Sequence, residues 1–356
     1  MTERYAVDDL KAFAAALFER SGLAEDRARS MARVFVEADL LGFTTHGLQR
    51  VPINLEWLHA GYTRKRGEPE VLDERQAAFS WDAAFLPGPY VVERAAADAA
   101  ARARESGIAA ATIRRATHVA ALAAYLVPVV EAELVGLLVV STPDERFIAP
   151  FGAHEAVYSN NPLAFCAPTS GAPLLFDVSM AVTAGGRIAR AEREGRRMPE
   201  PCLKDARGRP TDDPGVMGAG GTVMPIGGLG HGHKGFALTL MTEVLTQALS
   251  GHGRADAAGE GEANSVFIQV IDPRAFAHWE SYLGEVDHLL QVTRRAAPDD
   301  PRRPVRVPGE RAWEARSRAF EDGVPLYPGV LGALVPWAEK LGVAPPRPLD
   351  RPRRNG

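Results

Sequence analysis

Apolar residues recur at helical spacing at the start of the chain. Leu10, Phe13, Leu17 and Phe18 share one face, and Ala32, Val34, Phe35, Ala38 and Leu41 share another. The pattern predicts two amphipathic helices between about residues 6 and 41, broken at Ser21-Gly22 and closed at Gly42. A polar loop, Thr44-Thr45-His46-Gly47, leads to a third helix from about Val51 to His59, which Gly61 ends. From about residue 76 short strands replace this texture. Ala77–Trp81 and Ala109–Ile113 read as strands around an Ala-rich helix, Val91–Glu105. Val135–Val140 is a continuous apolar run, as expected of a buried strand. Leu174–Phe176 and Val266–Ile271 are further strands, and Phe236–Leu249 is a helix entered from a glycine-rich loop. Leu203–Gly232 reads as a long loop, Gly251–Asn264 as a polar mobile segment, and the Arg/Pro tail after Ala344 as a frayed end. The alternation predicts an α/β (mixed α+β) core with an N-terminal helical region.

Composition narrows the function. The chain has 356 residues, enough for one or two domains with a sizeable core. With 41 Lys and Arg against 45 Asp and Glu, it lacks the basic balance of a nucleic-acid binder. Only Cys166 and Cys202 are present, so no disulfide framework or thiol metal site is expected. A reducing cytoplasm fits that usage, and the charged N-terminus reads as no secretion signal. The longest uncharged run, Ala156–Phe176, is broken by prolines and asparagines, so no membrane span is expected.

Several residues carry candidate chemistry. A loop histidine such as His46 can exchange protons near neutral pH. Arg50, four residues on, would share its helical face and could hold a carboxylate bidentately. Asp39 is a candidate to orient His46. The alternative reading makes His46 a helix cap and Arg50 a solvated charge. His118 precedes an Ala-rich helix whose backbone N–H groups could receive an anion or a cofactor oxygen, or else it is a core histidine. Gly230–Gly235 matches G-x-G-x-x-G, but a loop rather than a strand precedes it. A glycine loop opening onto a helix, with Lys234 adding charge, is the better reading of a phosphate site there. His231 and His233 have no acidic or thiol partner nearby in sequence, so no metal site is expected. Asp177, at a strand end, suits a ribose hydroxyl or a helix cap. Cys166 reads as a small buried hydrophobe.

Taken in order, these segments resemble the malate/L-lactate dehydrogenase type 2 family, which includes ureidoglycolate dehydrogenase, sulfolactate dehydrogenase and piperideine/pyrroline-2-carboxylate reductases. The marks are Ala38–Gly42 with Thr45-His46-Gly47 and Arg50, then His118–Leu122, Ala149–Gly152 and Asn161–Ala164. Phe176–Ser179, Gly208–Pro214, His233–Phe236 and Val307–Glu310 complete the series. The resemblance implies a non-Rossmann fold and an oxidoreductase using NAD or NADP. It implies hydride transfer to or from C2 of a small 2-keto/2-hydroxy acid, or reduction of a cyclic 2-imino acid. A catalytically silent relative that only binds ligand is the third reading.

By the same resemblance, His46 or His118 is the acid/base, with Thr45 beside it, and Arg50 anchors a small carboxylate-bearing substrate that Asn160 also touches. Cofactor contacts fall on His118, Val119, Ala120, Ala121 and Leu122, on Asp177, Val178 and Ser179, on His233, Lys234 and Gly235, and on Pro308, Gly309 and Glu310. A homodimer is implied, with no nucleic acid and no membrane. Residues 1–75, joined by 280–356, would form a substrate and dimerisation region, and 76–279 the central NAD(P)-binding domain. Departures from the family pattern surround the pocket: Thr45 for Ser, Val119 for Phe, Ser159-Asn160 for Gly-Thr, a few extra residues at Leu229–Gly232, and Ala184-Gly185-Gly186-Arg187 for Ala-Arg-Gly-Lys.

Overall fold

Burial explains the first helices. In the computed structural model, which describes residues 3–349, β1 (Arg4–Tyr5) leads into α1 (Val7–Arg20) and α2 (Glu25–Leu40). Their predicted apolar faces are buried against each other, with the rings of Phe18 and Phe35 stacked at 6.0 Å. Asp8, Asp9, Glu25 and Asp26 sit in the first turns, where negative charge suits the helix dipole. α3 (Val51–Ala60) ends at Gly61 in the left-handed conformation.

Seven strands form the central sheet. β2 (Glu70–Glu74) and β3 (Ala78–Asp82) precede α4 (Gly88–Ser106), which crosses to β4 (Ile108–Ala116). α5 (Ala123–Glu131) is followed by β5 (Val135–Ser141), β6 (Leu163–Ala167) and β7 (Leu174–Val178). A smaller unit follows: α6 (Gly185–Arg193), then β8 (Leu203–Lys204), β9 (Pro210–Thr211) and β10 (Thr222–Val223). α7 (Gly228–Glu243) and a π-turn at Val244–Ala248 return the chain to β11 (Asn264–Ile271).

The sheet order is β2-β3-β4-β11-β5-β6-β7. Only β3 and β4 pair in parallel; the other neighbours are antiparallel. β11 therefore joins β4 to β5 only after more than a hundred intervening residues have been placed. α4 and α5 cover the sheet, and α2 packs on both. The last elements, α8 (Trp279–Arg295), α9 (Glu310–Asp322), β12 (Val324–Pro325) and α10 (Val330–Leu341), bring the chain back to its start. α9 meets α2, α10 meets α1 and α3, and β12 pairs with β1. One hydrophobic core runs through these helices and the sheet; a second, smaller one gathers Ile148, Met180, Ile188, Met198, Leu203 and Val223.

Three readings change. The helix expected from Phe236 begins at Gly228 and ends at Glu243, so the glycine-rich stretch is the helix's first half, not its entry loop. The long loop at 203–232 contains the short strands β8 to β10, which form their own three-stranded sheet. The tail is anchored at Leu349, whose N–H donates to Arg4 O at 2.8 Å while its side chain covers Gly323; residues 350–356 lie outside the described part.

Gly136 on β5 faces α5. A Cβ there would lie 2.8 Å from Leu126 Cδ2 and 3.0 Å from Cys166 Sγ. Gly136→Ala should lower unfolding stability by about 1–3 kcal/mol, as overpacking does. Denaturant titration reads this directly, and an unchanged midpoint refutes it.

Candidate active site

The loop after α2 is built around a close approach. Asp39 Oδ2 accepts a hydrogen bond from the Leu48 N–H at 2.8 Å. A Cβ on Gly47 would fall 2.2 Å from Asp39 Oδ1, so only glycine fits. The chain makes one short 3₁₀ turn at Thr44–His46, breaks at Gly47, and makes a second at Leu48–Arg50 before α3. His46 and Arg50 are therefore not on one continuous helix, as their spacing suggested. Nor does Asp39 reach His46: it holds the backbone of Gly47-Leu48, and burial pushes its carboxyl pKa up to about 7.

This fold-back brings His46 to His118, with ring centroids 5.8 Å apart and planes 21° from parallel. His46 opens onto the cleft, but the surrounding protein walls and the Arg50 charge lower its pKa to about 4. His118 is also lowered, by burial first and then by Arg50 and His46. Both rings are neutral at pH 7. Their second nitrogens differ in kind. His118 Nδ1 accepts from the Ala120 N–H at 3.1 Å, so its remaining proton sits on Nε2. His46 Nδ1 lies 2.9 Å from Thr45 Oγ1, a hydroxyl that can donate or accept.

The turn carrying His118 is pinned from several sides. Asn264 Oδ1 accepts from the Val119 N–H at 3.0 Å, and Asn264 Nδ2 donates to Thr142 Oγ1 at 2.9 Å. The Tyr125 hydroxyl donates to the Val119 carbonyl. Ala120 takes a positive φ of 60°. The backbone N–H groups that looked available for an anion are thus already engaged: Ala123 donates to Asp177 Oδ2 at 3.1 Å, with Leu122 contributing. Asp177 caps α5, and burial raises its pKa to about 6. Val119, Ala120, Ala121 and Leu122 are all buried.

Arg50 is occupied in this structure. Its Nη2 donates to Glu262 Oε2 at 2.7 Å, its guanidinium lies 5.7 Å from the Trp57 ring centroid, and its buried Nε has no partner. Asn160 Oδ1 and Thr183 Oγ1 are likewise buried and unpartnered. Thr45 meets the small unit: a Cβ on Gly186, at the start of α6, would sit 3.4 Å from Thr45 Cγ2. Thr45 therefore stands where the small unit meets the main core.

The remaining expected residues fall into two groups. Pro308 and Gly309 lie on β7, where the Leu175 N–H points to Pro308 O at 3.5 Å; the Glu310 carboxylate pairs with Arg294 at 2.6 Å and accepts from the Val307 N–H. This places 308–310 on the strand that carries Asp177. Val178 is exposed, and the Ser179 hydroxyl donates to Ala181 O. His233, Lys234 and Gly235 lie on α7, where the exposed His233 packs edge-on to Phe151. Their glycines serve close packing: a Cβ on Gly235 would lie 2.4 Å from Ile226 O, and one on Gly232 would lie 3.0 Å from Phe151 Cδ2. The literal G-x-G-x-x-G is thus a helix-packing feature. Cys166 is a buried β6 residue whose thiol pKa is pushed up to about 12 by burial.

Sequence reasoning missed Asn264, Glu145 and Glu262. The last two lie in loops, and Glu262 sits in the segment read as mobile. Its only signal is the acidic run Glu260-Gly261-Glu262.

Asp39→Asn keeps an acceptor for Leu48 and removes the buried charge. A carboxyl raised from about 3.9 to about 7 stabilises the fold at low pH and loses that contribution as pH rises through 7. The variant should therefore show a flatter fall in Tm between pH 5 and pH 8 than the parent. An identical slope in both would show that Asp39 is not the titrating group.

The chain was compared with known proteins. Residues 5–335 match the family model described as malate/L-lactate dehydrogenase. A Δ1-pyrroline-2-carboxylate/Δ1-piperideine-2-carboxylate reductase of Pseudomonas putida is 32% identical over 90% of this chain and 93% of its own. A malate dehydrogenase of Pyrococcus abyssi is 28% identical over 96% and 95%. A solved structure of a putative malate/lactate dehydrogenase from E. coli superposes with a TM-score of 0.86 at 26% identity, covering 96% of each chain.

Proposed function

The chain belongs to the malate/L-lactate dehydrogenase family, and from that premise we propose that it moves hydride between a nicotinamide dinucleotide and C2 of a small 2-keto or 2-hydroxy acid. It is an oxidoreductase, as its named relatives are dehydrogenases and reductases. The observation that carries the substrate reading is the grouping of two neutral histidines with one arginine fork. Arg50 suits the carboxylate beside the reacting carbon. The buried Arg50 Nε, without a partner among the described residues, fits a polar ligand, because buried polar groups normally find partners. NAD or NADP would supply or accept the hydride; of the expected contact residues, Val178, His233, Lys234 and Pro308 stand exposed to meet it, whereas Asp177 is taken up in capping α5.

The proton belongs to His46. A net proton carrier must exist both neutral and protonated. Protonating His118 at Nδ1 would set its new N–H against the Ala120 N–H. His46 meets no such conflict, because the Thr45 hydroxyl can turn from donor to acceptor. His118 Nε2–H then donates a hydrogen bond to the substrate oxygen or nitrogen, while His46 gives or takes the proton. In the reduction, C2 gains the hydride, the C=O or C=N π pair moves to the heteroatom, and His46 delivers the proton there. Burial and, after it, the Arg50 charge depress the His46 pKa; a bound carboxylate offsets the second of these, so the substrate itself makes His46 a better proton carrier.

A cyclic 2-imino acid is the second reading. The 32% identical reductase from Pseudomonas putida favours it, and the same Arg50, His46 and His118 serve it. The functional division follows the same logic. Residues 1–75 supply His46 and Arg50, 76–279 supply most of the expected cofactor contacts, and 280–349 add Pro308 to them; the exposed apolar surface for a dimer lies within 76–279. A homodimer is supported by α7 and its π-turn, where Leu229, Leu238, Leu240, Met241, Val244 and Leu249 are 39–56% exposed.

Two tests follow. A panel of pyruvate, oxaloacetate, sulfopyruvate, an aromatic 2-keto acid and the cyclic imines of proline and pipecolate size is assayed by loss of reduced nicotinamide absorbance. His46→Ala should lower kcat by about 10²–10⁴-fold with the fold intact, whereas Arg50→Ala should mainly raise KM. A normal kcat in His46→Ala removes it as the acid/base. For oxidation of the hydroxy acid, kcat/KM should stay flat across neutral pH and fall only as the low-pKa His46 becomes protonated. For reduction, kcat should persist to higher pH than kcat/KM, because the bound carboxylate offsets Arg50. Coincident reduction profiles would contradict that coupling.

A further inference from the structure

We propose that Glu262, with Glu145 beside it, determines specificity: it selects 2-keto or 2-imino monocarboxylates with a neutral or cationic far end over substrates bearing a second anionic group. The inference rests on the reading of Arg50 as carboxylate anchor. Glu262 takes one guanidinium nitrogen, Nη2 at 2.7 Å, and leaves the buried Nε without a partner. A substrate carboxylate can therefore claim the rest of the fork with the Glu262 carboxylate still nearby.

The segment cannot easily withdraw that carboxylate, because it is tied on both sides. The Gly261 N–H donates to Asp144 Oδ2 at 3.0 Å, and the Tyr62 hydroxyl donates to Glu260 O at 2.6 Å. The Glu260 carboxylate meets His252 Nε2 at 2.8 Å. On the other side, Asn264 bonds both Thr142 and the Val119 turn. Glu262 thus stands on the same frame that positions His118.

The electrostatics around this point are acidic. The Glu145 carboxyl is raised by burial and then by the Glu262 charge, against the opposing pull of Arg254 and Arg50. The Tyr62 hydroxyl is raised by burial and then by Glu262, Glu260 and Asp144. Arg254 offers no free charge, since its guanidinium is paired with Glu243 at 2.7 Å. Both site histidines are neutral. Arg50 can thus balance one anion, and a second on the same small molecule meets Glu262 and Glu145. Like charges brought together at short range in a partly desolvated site are strongly disfavoured.

The test compares the whole enzyme with Glu262→Gln, an isosteric change at a half-exposed position. Calorimetry measures the binding of oxamate, a monoanion, and malonate, a dianion, so the readout does not depend on turnover. The parent should bind oxamate tighter than malonate by at least about tenfold, and Glu262→Gln should close most of that gap. In the assay panel, kcat/KM for oxaloacetate relative to pyruvate should rise by the same order in the variant. A gap that is absent in the parent, or unchanged in Glu262→Gln, overturns the proposal while leaving the oxidoreductase reading in place. Binding of neither ligand to either protein overturns the Arg50 anchor, and this inference falls with it.

Discussion

The contact on which the site depends is the approach of Gly47 to Asp39. It converts a helix end into a fold-back of two short turns, and the Leu48 N–H seals it against the carboxylate. Without that reversal, α2 and α3 would be joined by a simple loop. His46 would then lose its place beside His118, and Arg50 would belong to the surface of α3. A carboxyl buried beside a backbone N–H is an unusual device for this purpose, because burial opposes its charge. Its value is geometric. It holds a reactive segment on the rigid end of a core helix, so His46 meets a ring carried by another part of the chain.

That second ring is held by an element that comes much later in sequence. Asn264 opens β11, the strand that closes the sheet between β4 and β5, and its side chain bonds the turn after His118 and the Thr142 hydroxyl after β5. The same strand start is one residue from Ala263 and two from Glu262, which bonds Arg50. The two histidines and the arginine therefore come into register only when the sheet is complete. A native site and a finished core are coupled, and a partly folded chain would not hold reactive groups together.

How much of this was legible depended on range. α1, α2, α3 and the strands β3, β4, β5, β7 and β11 follow from local apolar period, because each buries its own pattern. α7 was misplaced because glycine disfavours helices intrinsically, whereas here Gly232 and Gly235 permit packing on Phe151 and Ile226 that an alanine would block. The same glycines imitated a phosphate loop. The residue types of the site were visible as short segments, but their roles were not. Asp177 read equally as a ribose ligand or a cap, and only the Ala123 N–H decides that it caps α5 here. Glu262 was invisible in its role, since no local pattern announces an ion pair across 212 residues.

On the proposed mechanism, the electrostatic arrangement also explains why two histidines are present where one proton moves. A single buried imidazole beside a guanidinium would stay neutral and be a poor acid. Here the chain separates two tasks by the atoms at each Nδ1. A fixed amide donor keeps His118 neutral and points its Nε2–H outward. A rotatable hydroxyl lets His46 change charge. Burial first, and then the Arg50 guanidinium, keeps His46 neutral in the free enzyme, and that guanidinium is the group proposed to receive the substrate carboxylate. Proton readiness would then follow occupancy: with Arg50 balanced by substrate, one of the two effects opposing His46 protonation would fall away when a proton is needed. Glu262 balances Arg50 only in part, through one nitrogen, and leaves the buried Nε unpaired. In the free enzyme burial and the Arg50 charge together keep His46 low, and a ligand engaging the buried side of the fork would remove the second of these.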